Sequence, residues 1–391
     1  MARFKHVGSI TQLSRSQWQA LRDTRYPFLD YDFLVALEQT QCVGTDSGWI
    51  PAYFAAFENQ QLIAAMPAFI KEHSYGEYVF DWSWADAYQR NGLAYYPKLL
   101  AAIPFTPVTG PRLIGDQFLW PEALTAISEY CLSNRLSGWH INFLDNNTLT
   151  HVNNFKTGKD QEALIRTACQ FHWYNREYRN FEHYLEQFTS RKRKSVRKER
   201  DKIAAQGIRI TRLTHKQITP EHIAFFYQCY QITYLRRRSQ GYLNQAFFQQ
   251  LRDVLNSQLM LVLAHKDDQP IAAALCFYDD DNLYGRYWGA IDDVDALHFE
   301  ACYYQGIEFC IEQGIKHFDP GTQGEHKISR GFEPILTHSA HWLVHPQFHD
   351  AVAHFLAEEG QHILAYQGDA KTLQPFREGF ILHDDNEAKL V

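Results

Sequence analysis

The segment 319–332, DPGTQGEHKISRGF, sets a carboxylate, an imidazole, an ammonium and a guanidinium among closely spaced glycines. Gly321 and Gly324 permit a tight turn, and Glu325 and His326 at its head can bind an acceptor and take up a proton. Lys327 and Arg330, protonated at neutral pH, suit the holding of an anionic group better than proton abstraction. The same composition also fits a structural or surface loop, and both readings stay open. His298 and Glu300 stand in the nearby LHFE at 297–300. Helical spacing sends the two toward different parts of a surface, so they form no automatic dyad, and Glu300 joins the chemistry only by crossing toward His326. Tyr284, Arg286 and Tyr287 align along a neighbouring strand. Arg286 reads equally as a ligand contact or an ion pair, and the two tyrosines as packing and hydrogen-bonding groups with a second reading as substrate contacts.

The first half offers another surface. Glu77, Asp81 and Asp86 are interleaved with Tyr78, Phe80, Trp82, Trp84 and Tyr88. Carboxylates against aromatic walls suit recognition of a polar molecule, and alternating aromatics equally suit a packed sheet with exposed acids. Lys98 and Arg112 are candidate cleft cations or ordinary surface charges. Between the halves lies a basic run, Arg191, Lys192, Arg193, Lys194, Arg197, Lys198 and Arg200. Such a run can neutralise the phosphates of tRNA or of a nucleotide-linked precursor, or serve as a solvated joint. No HExxH helix or paired-cysteine spacing marks a metal, and none is expected. Cys302 and Cys310 are too far apart on one helix to cap an ion locally, and no serine nucleophile elbow appears.

These groups must be positioned by alternating helices and strands. The first half predicts a helix over 31–40, an antiparallel pair over 49–57 and 62–70, a further strand over 78–84, strand and loop around 95–107, a helix over 119–132 and a strand over 139–144. The second predicts a basic helix ending near Gly207, helices over 222–230 and 245–254, strands over 260–264, 271–278 and 283–288, a helix over 297–313 stopped by Gly314, a strand from 315, a helix over 348–359 and a short strand over 363–366. The expected domains are 1–175 and 176–391, the second including the basic joint, with an acidic patch over 384–387 at the end.

The 391 residues are 45% hydrophobic, enough for a substantial core, and the net charge of −7 confines any polyanion contact to a local basic face. Seven cysteines, an odd number, cannot complete an intrachain disulfide framework. The N-terminus lacks a secretory pattern, and the most apolar stretch, 62–70, is interrupted by Pro67 and too short to span a bilayer. The expectation is a cytoplasmic protein without membrane insertion; its oligomeric state is not legible.

Read in order, GWIP at 48–51, SYGEYVFDWSWADAY at 74–88, YYPKL at 95–99, PFTPVTGPR at 104–112, LYGRYWG at 283–289, LHFE at 297–300 and GEHKI with RGF at 324–332 resemble the FemAB-like subgroup of the GNAT acyltransferase superfamily, a bacterial family described by peptidoglycan biosynthesis or recognition. The resemblance spans nearly the whole chain. It implies an α/β fold of tandem GNAT-like mixed sheets flanked by helices around a central cleft. It also implies transfer of an activated acyl group to an amine of a small molecule, peptide or peptidoglycan precursor, with Glu325 or His326 taking the amine proton. GNAT enzymes take acetyl-CoA or another acyl-CoA, and the main expectation is such a donor, with Lys327, Arg330 and Arg286 as its contacts. FemAB enzymes use aminoacyl-tRNA, which is the alternative; a binding protein without catalysis is a third. The R/QxxGxG/A donor loop of GNAT enzymes is missing, and the loop at 289–296 carries Asp292, Asp293 and Asp295, whose charge opposes a pyrophosphate.

Overall fold

The computed structural model of the chain describes residues 3–156, 161–322 and 324–383, so the acidic patch at 384–387 lies outside the described residues. The chain divides into two compact units, Met1–Cys169 with Leu336–Tyr366 and Gln170–Ile335 with Gln367–Val391. A single cut after residue 175 therefore does not describe the packing: a late segment belongs with the first unit.

In the first unit, β1 (Phe4–Val7), β2 (Trp49–Pro51), β3 (Tyr53–Glu58), β4 (Gln61–Met66) and β5 (Phe69–Lys71) come early. The anticipated pair over 49–57 and 62–70 is in fact broken twice. Its inner halves pair as β3 and β4, its outer halves as β2 and β5, and the breaks fall at Ala52 and at Pro67, which cannot donate to a ladder. After α1 (Trp82–Arg90) follow β6 (Lys98–Ala101), β7 (Ile114–Gly115), α2 (Trp120–Ser133) and β8 (Gly138–Leu144). One sheet has the order β1-β3-β4-β7. In the other, β2 and β5 are antiparallel, β5 and β6 antiparallel, β6 and β8 parallel, and β8 pairs antiparallel with the late strand β15 (Glu333–Leu343). Every residue of β8 is buried, as expected for a strand covered on both faces.

The second unit holds the end of β9 (Leu164–Tyr174), then α3 (Ser190–Ala205), β10 (Ile208–Thr214), β11 (Leu259–Lys266), β12 (Gln269–Tyr278), β13 (Asn282–Ala290) and β14 (His317–Asp319). Strands β10 to β13 form an antiparallel meander, β13 and β14 are parallel, and β14 is antiparallel to β9. The two units thus share one connection: an antiparallel run, a helical crossover to a parallel neighbour, and a closing antiparallel strand. The crossovers are α2 and the helical run 297–313. The fold is a mixed α/β architecture of tandem modules, as the family resemblance implies.

Two elements differ from expectation. The segment 78–84 is a loop followed by α1, not a strand; Tyr78 takes a positive φ and Asp81 stands at the N-cap. The segment 363–366 lies inside one long helix, α4 (Pro346–Thr372). Buried Val352, Leu356, Gln367 and Ala370 and half-buried Ile363 recur at helical spacing along it, which overrides the short β-branched run. Among the described residues no helix is long and apolar enough to cross a membrane.

Candidate active site

In the second unit, the crossover begins as an α-turn, Leu297–Phe299, continues as a π-turn, Glu300–Tyr304, and resumes as an α-helix, Gln305–Gln313. A π-turn shifts the phase of every side chain beyond it, and such turns recur at functional sites. Here Tyr303 meets the 3₁₀ turn Glu325–Arg330, where its hydroxyl lies 2.8 Å from His326 Nε2. Gly324 precedes that turn with φ +111°, and a Cβ there would fall 2.1 Å from the His326 ring, so only glycine allows the imidazole to fold back.

His298 lies beside His326, ring centroids 5.9 Å apart, in a cluster with Trp288, Phe299 and Tyr303. Burial, and then the positive charges of its neighbours, lower the His298 pKa to about 4, so the ring is neutral at physiological pH. Among the described residues neither of its nitrogens has a hydrogen-bond partner, which leaves His298 available to a bound molecule. His326 is exposed and also shifted down, by burial and by Arg330 and Lys327. Lys327 is buried and donates to the Gly321 carbonyl. Desolvation lowers its pKa to about 7, so an ammonium and a neutral amine coexist there.

The remaining candidates divide by what holds them. Glu325 is exposed at the head of the turn. Glu300 is buried and gripped by Arg200, which contacts both its oxygens at 3.0 and 2.9 Å and also pairs with Glu308. It supports the π-turn and does not reach His326. Arg330 donates to the His326 carbonyl, pairs with Glu199 and lies 3.4 Å above the Phe299 ring. Arg286 grips Asp319 through both oxygens, and His172 approaches the same carboxylate at 3.6 Å. His172 in turn contacts His317 at 2.8 Å. Burial opposes ionisation of Asp319, but Arg286 prevails and holds the pKa below the usual carboxylate range. The Tyr284 hydroxyl donates to Asp279, while Tyr287 packs among Phe226, Tyr230 and Phe248. Sequence reasoning passed over Tyr303, His172 and His317, because π-phase and cross-strand pairing leave no local signal.

The loop over 289–296 is a poor pyrophosphate cradle. Asp295 pairs with Lys202, Asp292 and Asp293 are exposed, and the amides of Leu297 and Phe299 already donate to Val294 and Ala296. The basic helix α3 is different. Arg197 pairs with Glu182 and Arg200 with Glu300 and Glu308, but among the described residues Arg191, Lys192, Arg193, Lys194 and Lys198 have no ionic partner. Four of these follow Ser190 directly, in the first turns of the helix, where the macrodipole is already positive. Cations there repel the helix end, and an arriving anion relieves that repulsion.

In the first unit, Lys98 is fully buried and binds both Glu77, at 2.8 Å, and Asp81, with Ser74 at 3.0 Å. Burial raises the Glu77 pKa to about 7; burial also opposes ionisation of Asp81, but Lys98 overrides it and keeps Asp81 ionised. Tyr95 donates to Asp81 at 2.6 Å, so its oxygen accepts from His140 Nε2 at 3.4 Å. His140 Nδ1 must then accept from His341 Nδ1 at 2.7 Å, and Ser339 donates to His341 Nε2 at 3.0 Å. The chain of donors runs one way, toward Asp81. Trp84 is buried against His341. Arg112 is buried and donates to the carbonyls of Val108, Gly110, Pro111 and Asn142, which occupies it with backbone. Trp82 and Asp86 are exposed, Asp86 beside Arg90. Among the described residues no three histidine, cysteine or acidic side chains are grouped to hold a metal ion.

Residues 9–378 match the FemAB-like family, described by peptidoglycan biosynthesis and recognition. The chain belongs to the FemAB-like family. No curated protein matches this FemAB-like chain. A conserved protein of unknown function from Bacteroides thetaiotaomicron VPI-5482 is similar in structure, with a TM-score of 0.51 and 12% identity over 88% of this chain and 100% of that one. So is the C-terminal domain of a protein assigned as a lysylphosphatidylglycerol synthetase from Agrobacterium fabrum, with a TM-score of 0.51 and 10% identity over 90% of this chain and 97% of that one. FemX aligns over 89% of this chain and 100% of its own, with a TM-score of 0.49 and 11% identity. FemAB-like membership supports GNAT-type transfer chemistry in general and specifies neither donor nor acceptor.

Proposed function

We propose that this FemAB-like protein transfers an aminoacyl group from aminoacyl-tRNA to the amine of a peptidoglycan precursor. The observation that carries the reading is α3, with five cations that have no ionic partner among the described residues, four of them crowding its positive N-terminal end. A polyanionic donor suits that surface, whereas an acyl-CoA pyrophosphate finds an acidic loop at 289–296 and, just after it, the occupied amides of Leu297 and Phe299. In the reaction, the acceptor nitrogen attacks the ester carbonyl and forms the C–N bond; the ester C–O bond breaks and the ribose oxygen leaves. His298 takes the nitrogen's proton, and that proton passes to the departing oxygen. Burial is the main cause of the low His298 pKa, with His326, Lys327, Arg330 and Arg237 adding to it, so the ring is neutral and able to accept the proton. His326, oriented by Tyr303, and Lys327 bear the charge that develops on the carbonyl oxygen.

Equilibrium binding of aminoacyl-tRNA and of acetyl-CoA across a salt series tests the reading. Each neutralised phosphate contributes about 0.9 to the log–log slope. Five cations therefore contribute about 4.5, and a rise from about 50 to 200 mM salt weakens binding by about 500-fold. Replacing Arg191, Lys192, Arg193, Lys194 and Lys198 by glutamine should remove that component. Tight acetyl-CoA binding with tRNA affinity indifferent to these residues overturns the donor; tRNA binding without any transfer to an amine favours a binding protein.

A further inference from the structure

We infer that the outward face of loop 75–82 and helix α1 is a binding subsite for the pyranose ring of an N-acetylated amino sugar. The inference rests on the acceptor class proposed above, whose members carry such sugars. Tyr75, Phe80 and Trp82 are 57%, 60% and 41% exposed, large aromatic surfaces on one short segment. The Tyr75 and Trp82 rings meet edge to face, centroids 4.9 Å apart, and so form a corner. Contiguous exposed apolar surface, here the Tyr75–Trp82 corner, marks interaction sites.

The loop is held from beneath. Glu77 and Asp81, one on each side of Tyr78, both bind the buried Lys98 ammonium, and the guanidinium of Arg166 donates to the Phe80 carbonyl at 2.7 Å. Gly76 has φ +80°, and a Cβ there would fall 2.6 Å from the Phe105 ring. Tyr78, a bulky residue, also takes a positive φ of 59°. Backbone strain of this kind persists only where surrounding contacts impose it, and it fixes the aromatic corner before any ligand arrives. The buried acids and Lys98 therefore do not touch the ligand; they present the residues that do.

The chemistry of the occupant follows from the neighbours. Trp82, Asp86 and Arg90 stand at i, i+4 and i+8 along α1, on one exposed face, with Asp86 and Arg90 in contact. An aromatic plane takes the C–H face of a sugar ring, the carboxylate accepts from its hydroxyls, and the guanidinium donates to an acetamido carbonyl. Over 71–98 the exposed charged residues are Arg90 against Glu72 and Asp86, an acidic excess. That balance disfavours an anionic lipid surface, which exposed aromatics would otherwise also suit. The family's description by peptidoglycan recognition agrees with a saccharide.

The test is calorimetric titration of the full chain with N-acetylglucosamine oligomers and with the muramidase-released disaccharide of peptidoglycan. Saturable binding is expected, weakened about tenfold by Trp82→Ala and by Tyr75→Ala, only slightly by Trp82→Phe, and clearly by Asp86→Asn, with unchanged circular dichroism. Absence of saturable binding, or binding indifferent to both alanine variants, overturns the inference. So does loss of binding to phosphatidylglycerol vesicles in Trp82→Ala when no sugar binds, which assigns the face to a membrane. Sugar binding without aminoacyl transfer leaves the subsite standing and removes the proposed reaction, whereas transfer without sugar binding does the reverse.

Discussion

Acidification from pH 7 to 5 should destabilise both units, and Glu77 should blunt the loss in the first. Neutral imidazoles shielded from solvent stand in both units: buried His140, His341 and His349 in the first, buried His172 and half-buried His317 in the second. Burial is the main cause in each, lowering His140 and His172 to about 3, His317 to about 4, His341 well below its ordinary value and His349 below it. A folded pKa below the unfolded value of about 6.5 means that the unfolded chain binds more protons. The stabilisation is therefore complete above that pH and is lost as pH falls. At pH 5, about 1.5 units lower, each of His140, His341, His172 and His317 has removed about 2 kcal/mol. Each unit thus loses about 4 kcal/mol, to which His349 adds in the first and half-buried His298 in the second. Two carboxyls oppose the loss. Glu77 in the first unit has a folded pKa of about 7, above the unfolded value, so it takes up a proton in the folded state and returns about 2 kcal/mol; Glu333 in the second is also raised by burial and acts in the same direction. Against a typical total of about 5–15 kcal/mol the net loss is large. Hydrogen exchange read by mass spectrometry between pH 7 and 5, corrected for intrinsic rates, should show β6 and β8 losing protection along with β13 and β14. Glu77→Gln should steepen the loss in β6 and β8 and leave β13 and β14 unchanged. Full protection at pH 5 in the parent, or a Glu77→Gln variant whose first unit responds to acid as the parent's does, refutes the reasoning.

Lys98→Met should cost about 3–5 kcal/mol by stranding two buried carboxylates, and its stability in denaturant titrations should improve as pH falls toward 5, because protonation then relieves them. Arg200→Ala should destabilise by about 1–3 kcal/mol through the unpaired Glu300, and the amides of 297–313 should exchange faster. Glu300→Gln should retain most transfer activity, since Glu300 acts on the π-turn; a rate as low as that of His298→Asn counts against this division of roles.

Much of the fold is legible because its signals are local. The meander β11 to β13 is bounded by charged turns, Gly314 adopts the left-handed conformation that ends the crossover helix, and the basic run continues as a helix to its stop at Gly207. Where a residue's state is set by distant partners, legibility fails. The aromatics of 78–84 read as strand, because nothing nearby reveals that Asp81 is held by Lys98. His298 and His326 could be named from their neighbourhoods, but Tyr303 joins them only through a π-turn, which has no sequence signature. Burial decides the rest: Glu77, Lys98 and Arg112 have the residue types of a ligand site and are sealed inside the first unit.

The most direct test is single-turnover transfer from labelled aminoacyl-tRNA to an amine-bearing peptidoglycan precursor, in parallel with acetyl-CoA. The account predicts an amide product from the tRNA donor alone, and a fall of about 10²–10⁴-fold in His298→Asn with tRNA affinity unchanged. Product from acetyl-CoA and none from aminoacyl-tRNA, or a full rate in His298→Asn, would contradict it.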